Sequence, residues 1–381
     1  MGENLQPNIC TVGDISFAGV TNLKFSSKFF ESARNEWTNS DFVIGNLESP
    51  LLSNGDFVNN KCVLKADPGW AKIIKSAGIN MVSLANNHLM DYGPEGLFNT
   101  IEVLKETGLY FVGAGKNKNS ALAPCWVQLN GQSLAFLGRS SVIVSSPCYA
   151  SESSPGVAYL DENETKDSII ECKKKADKVV LLIHWGVEHY HYPTPAQRKL
   201  AKELIHVGAD LILGHHPHVL QGIERIGNGL ICYSLGNFLF NDIEWSFFDE
   251  EGQRQKKVIK LTKENRKGGM LKTTLSDQGI NSYKFIPTHI EYDGTVKIQN
   301  TLERQREFSN LCSRLHWPAY SFLWRLYSLK QEWKLRLKPM TIERLNWTSL
   351  KKIRPKHFRQ LLDRVRRSAK ISTEKSTNPY E

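Results

Sequence analysis

The stretch ADLILGHHPHV (residues 209–219) runs from four apolar-rich positions through a glycine into three histidines. An apolar run of that length bounded by polar residues reads as a buried strand, and the histidines beyond the glycine mark its end. In an extended strand His216 and His218, two apart, share a face and can reach one cation, while His215 faces away to orient or pack. The run KVVLLIHWG (residues 178–186) repeats the arrangement, a buried strand ending in a histidine.

Working outward, short apolar runs alternate with helix-patterned ones. NICTVGDISF and DFVIGNLES read as strands with polar ends, and INMVSLANNH as a third. Between them, SSKFFESARNEW places Phe29, Phe30, Ala33 and Trp37 on one helical stripe. PGWAKIIKSAG is a helix with Pro68 near its start and Gly78 at its end, and GPEGLFNTIEVLKETG is one stopped by Gly108. Thr194 and Pro195 start a helix over TPAQRKLAKELIHVG. Hairpins are expected at Asn130-Gly131 and Asn228-Gly229. Alternating elements followed by hairpins predict an α/β body with a mixed sheet or two stacked sheets. Residues 241–268 are rich in charge and read as an exposed insertion, after which strands resume.

Composition sets limits. The chain has 381 residues, 40% of them hydrophobic, enough to bury a core and too many for global disorder. The net charge is +10, but residues 301–381 hold 19 Lys and Arg against 7 Asp and Glu, a net of +12 that leaves −2 for the first 300. A domain over 1–300 and a basic, tryptophan-rich helical extension over 301–381 with a disordered end are therefore expected. The seven cysteines form no CxxC pair and read as reduced thiols. No run reaches the roughly 18 apolar residues of a membrane span, so the expected location is cytoplasmic, with any membrane attachment peripheral at the inner face.

The strand ends carry chemistry. They deliver Asp14; Asn46 and Glu48; Asn86, Asn87, His88 and Asp91; His184 and Glu188; the three histidines at 215, 216 and 218; and Ser234 with Asn237. Burying such groups costs free energy unless they are paired or hold an ion. Singly, each has an ordinary reading as a cap, a turn or a satisfied core histidine. As one ordered series they point to one or two divalent cations, and mixed nitrogen and oxygen donors suit Zn, Mn or Fe.

The segments GDISF, GNLESPL, ANNHLMDYG, HWGVEH, GHHPHVLQGIE and YSLGNFLF resemble the CapA capsule-synthesis family, within the calcineurin-like metallophosphoesterase superfamily, over about residues 8–292. The resemblance implies a four-layer α/β/β/α sandwich with a dinuclear metal site. It implies that Asp14, Glu48, Asn87, His184, His216 and His218 are ligands, Glu48 in the bridging place. With Asp14, His88 and Asp91 make the implied catalytic group, His88 moving a proton and Asp91 orienting it. Asn46, Asn86, Glu188, His215 and Asn237 are expected to support the ligands or bind substrate. Ser16 stands where phosphoesterases usually carry a histidine, and GNLE replaces an aspartate pattern. The resemblance ties the chain to poly-γ-glutamate or another acidic polymer or peptide, with hydrolysis of an amide or phosphoester expected. Some epimerases acting on lasso peptides resemble the same family, so Cα proton abstraction with His289 as second acid/base is an alternative, and polymer binding without turnover is another.

The basic extension interleaves Trp317, Tyr320, Phe322, Trp324, Tyr327 and Trp333 with arginine and lysine. Such a segment can meet an anionic membrane, a synthase partner or an acidic polymer, or simply pack on the body. No nucleic-acid motif accompanies its charge, and nucleic acid is not expected as a partner.

Overall fold

The computed structural model describes residues 6–20, 26–58, 61–142, 148–248 and 253–337. Two sheets stack face to face. The first runs in the order Val296–Ile298, Gly279–Ile290, Lys267–Ser276, Asn8–Ile15, Phe42–Leu47, Met81–Ser83, Tyr110–Val112, and Asn237–Leu239 also pairs with Asn8–Ile15. The second runs Ile223–Ile226, Gly229–Cys232, Leu211–His215, Lys178–His184, Gln132–Ser140, Cys125–Leu129. The four strands at the centre of the second sheet are parallel and its two edge strands are antiparallel hairpin partners.

Period-two alternation explains why these runs are apolar throughout. On Lys178–His184, Val180 and Leu182 point between the sheets, while Val179, Leu181 and Ile183 point out at helices Glu162–Lys173 and Pro195–His206. On the first sheet Ile9, Phe42 and Ile44 face inward. Cys10, Val12 and Val43 face helices Ser26–Trp37, Trp70–Ala77 and Gly93–Glu106. Helix, sheet, sheet, helix is the four-layer sandwich expected. The stripe Phe29, Phe30, Ala33 and Trp37 is buried as its spacing requires, and Trp37 Nε1 donates to Ala77 O at 3.0 Å.

Local signals mostly hold. Thr194 closes a capping box with Gln197, and Gly78 ends its helix at φ 100°. The first hairpin turns at Asn130-Gly131, both at positive φ. The second turns one residue earlier than expected, at Gly227-Asn228, because Ile226 pairs with Gly229 and Gly227 takes the positive φ of 54°. All seven cysteines are free thiols.

The charged insertion is a two-stranded ribbon, Ile243–Phe248 with Arg254–Ile259. Its far end is not exposed: Asn265 and Arg266 are buried. Beyond residue 300, helix Leu302–Arg314 stacks Phe308 on Phe285, with ring centroids 3.4 Å apart. Helix Tyr320–Leu337 docks through Tyr320 Oη on Pro193 O at 2.7 Å and Trp324 Nε1 on Tyr192 O at 3.2 Å. Residues 338–381, with the expected disordered end, lie outside the described residues. Among the described residues no helix is long and apolar enough to cross a membrane.

Candidate metal centre

The parallel strands of both sheets bring their carboxyl ends to one rim, where open α/β sheets build sites. His184 and His215 end neighbouring strands in direct register. Asp14 is in register with Asn46 on one side and Asn237 on the other, and the ladder slips at Asp14. The slip has a steric cause: a Cβ on Gly13 would lie 1.9 Å from Gly236 O, so only glycine lets the two backbones approach this closely. Asp14 N then donates to Gly236 O at 3.0 Å, which aims the carboxylate across the gap between the sheets.

Asp14 is fully buried. Its Oδ1 accepts from Asn46 Nδ2 at 2.9 Å and lies 3.1 Å from His215 Nδ1, and its Oδ2 lies 3.5 Å from His218 Nδ1. Glu48 is fully buried as well, with Oε1 3.5 Å from His218 Nε2 and 3.8 Å from His184 Nε2. Asn87 Oδ1 lies 2.8 Å from His184 Nε2. Donor atoms of Asp14, Glu48 and His218 fall within 4.8 Å of one another, as do those of Glu48, His184 and His216 and those of Glu188, His216 and His218. The first two groups share Glu48.

The other expected residues fall around this centre. His88 Nδ1 lies 2.7 Å from Asp91 Oδ2, and Asp91 Oδ2 also accepts from Leu64 N at 2.6 Å. Asn86 Oδ1 accepts from the backbones of His88 and Leu89, both at 3.1 Å, and its Nδ2 donates to Leu47 O at 2.8 Å, tying that loop to the next strand end. Asn237 Oδ1 lies 2.8 Å from His218 Nδ1. Glu188 sits at the rim, its side chain 51% exposed.

Three expectations are corrected. The strand ends at His215, so His216 and His218 are not on an extended face; they take left-handed backbone at φ 98° and 56°. Left-handed backbone is costly for a side chain with a Cβ, and it persists here where both imidazoles turn into the centre. His215 does not face away, because in-register pairing with His184 points it at Asp14. His289 is not brought in: it lies mid-sheet opposite Lys267 and Lys297, and its charged neighbours are Glu291, Arg304, Arg266 and Lys267. Ser16 Oγ accepts from Ala18 N at 3.3 Å.

Two supporting residues had no signal in the sequence. Lys61 is buried, ion-paired with Asp91, and donates to Asn87 O at 2.6 Å. Asn265, from the end of the insertion, donates Nδ2 to His218 O at 3.0 Å, and its own carbonyl accepts from Asn237 Nδ2 at 3.1 Å. Each lies far from its partners in sequence, in a segment whose pattern marks only a polar loop.

The donor set fits divalent cations. Both carboxylate oxygens of Glu48 and Nδ1 of His216 are buried without a hydrogen-bond partner, a cost that an ion would relieve. Burial pushes the Glu48 carboxyl well above its usual range. Burial also opposes ionisation of Asp14, but the hydrogen bonds and charges of His215 and His218 outweigh it and hold that carboxyl well below 3.8. Burial and the neighbouring imidazoles depress His184 well below 6.5, and burial takes His216 down to about 4, so both are neutral donors at pH 7. His218 goes the other way: burial lowers it, but Glu48 and Asp14 raise it to about 10.

The model of the family "Bacterial capsule synthesis protein PGA_cap" matches residues 8–242, a span holding all of these groups except Asn265 and His289. The capsule biosynthesis protein CapA of Bacillus anthracis is 32% identical over 321 residues, covering 81% of this chain and 74% of that protein. The PGA biosynthesis protein CapA of Bacillus subtilis (strain 168) is 35% identical over 237 residues; the match covers 60% of this chain and 62% of that protein. Among solved structures, the NAD nucleotidase (NadN) of Haemophilus influenzae aligns at TM-score 0.42 and 15% identity, covering 81% of this chain and 56% of that one. With the matched family spanning more than half of the residues and the Bacillus anthracis relative aligned over four-fifths of them, the chain belongs to the bacterial capsule synthesis protein PGA_cap family.

Proposed function

We propose that this chain is a metal-dependent member of the capsule and poly-γ-glutamate biosynthesis machinery that cleaves an amide or phosphoester bond of an acidic polymer at a two-cation centre. The observation that carries the reading is Glu48, a carboxylate with no hydrogen-bond partner on either oxygen, shared by two ligand groups. Asp14, Glu48 and His218 would hold one cation; Glu48, His184 and His216, with the Asn87 amide, would hold the other. Glu188, at the exposed rim, forms a third donor group with His216 and His218. Bound divalent cations supply Lewis-acid polarisation of a substrate oxygen and a water acidic enough to deprotonate near neutral pH.

The protein's own groups do the rest. Asp91 engages Nδ1 of His88, which leaves Nε2 to give or take a proton. Lys61 pairs with Asp91 and holds the Asn87 carbonyl, so the loop bearing the ligand amide and the proton-transfer imidazole is clamped as one piece. Asn46 and His215 fix Asp14, and Asn237 fixes His218. The names of two relatives, a capsule biosynthesis protein and a PGA biosynthesis protein, support a capsule polymer as the substrate class.

The test uses the full chain loaded with Mn, Zn or Fe and incubated with poly-γ-glutamate and, separately, a phosphodiester dye. The expected result is metal-dependent shortening of the polymer or release of the dye, lost in His88→Ala with metal content retained. Polymer retained on the protein at full length, with no dye released under any metal, would replace the reading with non-catalytic polymer binding. Deuterium entering Cα positions of a peptide would replace it with epimerisation.

A further inference from the structure

The helix Tyr320–Leu337 has two apolar sides. One packs on the body through Tyr320, Leu323, Trp324 and Tyr327. The other carries Phe322, Leu326, Leu329 and Trp333, which are 62%, 50%, 39% and 55% exposed. Steps of four, three and four residues put these side chains on one stripe, about 140° round the helix from the docked side at ~100° per residue. Exposed Arg325 and Lys330 lie about 70° to either side of the stripe at ~100° per residue. Glu332 lies further round.

We propose that this stripe lies on an anionic phospholipid surface, with the helix parallel to the membrane. Four aligned apolar side chains flanked by cations are the pattern of an interfacial helix: the apolar groups enter the acyl boundary while arginine and lysine meet the lipid phosphates. Charge complementarity selects lipid over other occupants. The 44 residues that follow the helix hold 12 Lys and Arg against 4 Asp and Glu, so the apolar stripe continues directly into a segment of net charge +8. A soluble acidic polymer would match the charge but would leave the apolar stripe in water. A second copy of the chain would meet like charge, and the stripe exposes only roughly 400 Å², about half of what one partner contributes to a standard protein interface. Spanning is excluded for this helix, which carries Arg325, Lys330, Glu332, Lys334 and Arg336 within its 18 residues. The inference is independent of the metal centre.

The experiment is co-sedimentation of the full chain with phosphatidylcholine vesicles and with mixed phosphatidylglycerol–phosphatidylcholine vesicles, at low and raised salt. Binding to the anionic vesicles is expected, weakening with salt, with little binding to the neutral ones. The double variant Phe322→Glu/Trp333→Glu keeps every tail cation and should lose affinity about tenfold or more, with its melting temperature unchanged because both side chains face solvent. Leu326→Ser/Leu329→Ser, a gentler change to the same stripe, should weaken binding in the same direction. Undiminished vesicle binding by both variants would overturn the proposal and leave the basic segment alone responsible. Absence of wild-type binding would overturn it too, as would a stripe variant that altered the oligomeric state in light scattering while sparing vesicle binding, which would assign the stripe to a second copy.

Discussion

Replacing Glu48 with glutamine keeps the shape of the side chain and removes the charge. In the metal-free protein that charge is a liability, because neither oxygen has a hydrogen-bond partner and burial raises the carboxyl well above its usual range. Removing a buried charge that no hydrogen bond satisfies should leave the metal-free fold no less stable, and up to about 1–3 kcal/mol more stable. His218, 3.5 Å from Glu48, keeps Asp14 as its second counter-charge at the same distance. With metal the sign reverses. Loss of residues that merely support a ligand costs roughly 10–100-fold in affinity, so loss of a shared ligand should cost at least about 100-fold. At metal concentrations that saturate the wild type, that loss removes about 2.7 kcal/mol of linked stability. Wild type and Glu48→Gln should therefore exchange order. The variant melts at or above the wild type in chelator and below it in Mn or Zn, and elemental analysis finds less metal bound. A variant destabilised equally in chelator and in metal would show that Glu48 acts as a packing residue. Unchanged metal content would refute the assignment outright.

Three further outcomes are expected from the same geometry. Metal affinity should rise with pH: His218, raised to about 10 by Glu48 and Asp14, is protonated in the empty site and must lose that proton to bind, adding up to about one decade per pH unit; affinity that stayed flat from pH 6 to 8 in calorimetric titrations would contradict this. Lys61→Met leaves Asp91 buried with its strongest partner gone and should cost about 3–5 kcal/mol in urea unfolding, with Lys61→Arg recovering part of it; a loss within experimental error would show that the clamp is dispensable. Glu224 is pushed up by burial but held below 4.5 overall by Arg198 and Lys202, so it contributes stability above its unfolded pKa that is lost as pH falls through its folded one; Glu224→Gln should be less stable than wild type at pH 7 and lose less of its stability on acidification, and parallel pH–stability curves would refute the coupling.

Much of this protein was legible in its residues alone. Apolar runs such as VVLLI and LILG announce strands buried on both faces, the stripe at Phe29, Phe30, Ala33 and Trp37 announces a helix against them, and polar groups at successive strand ends announce a site. These signals are local, carried by residues within a few positions of one another. The orientation of side chains past the last ladder bond was not legible. That His215 points at Asp14, and that His216 and His218 turn inward through left-handed backbone, depends on a register between two strands and on a close approach of Gly13 to Gly236, 223 residues further along the chain. Lys61 and Asn265 lie in polar loops that resemble any other, and only folding sets them beside Asp91 and His218. Periodicity says which residues leave water; where a buried polar group finds its partner is decided by long-range packing, which a one-dimensional pattern does not encode.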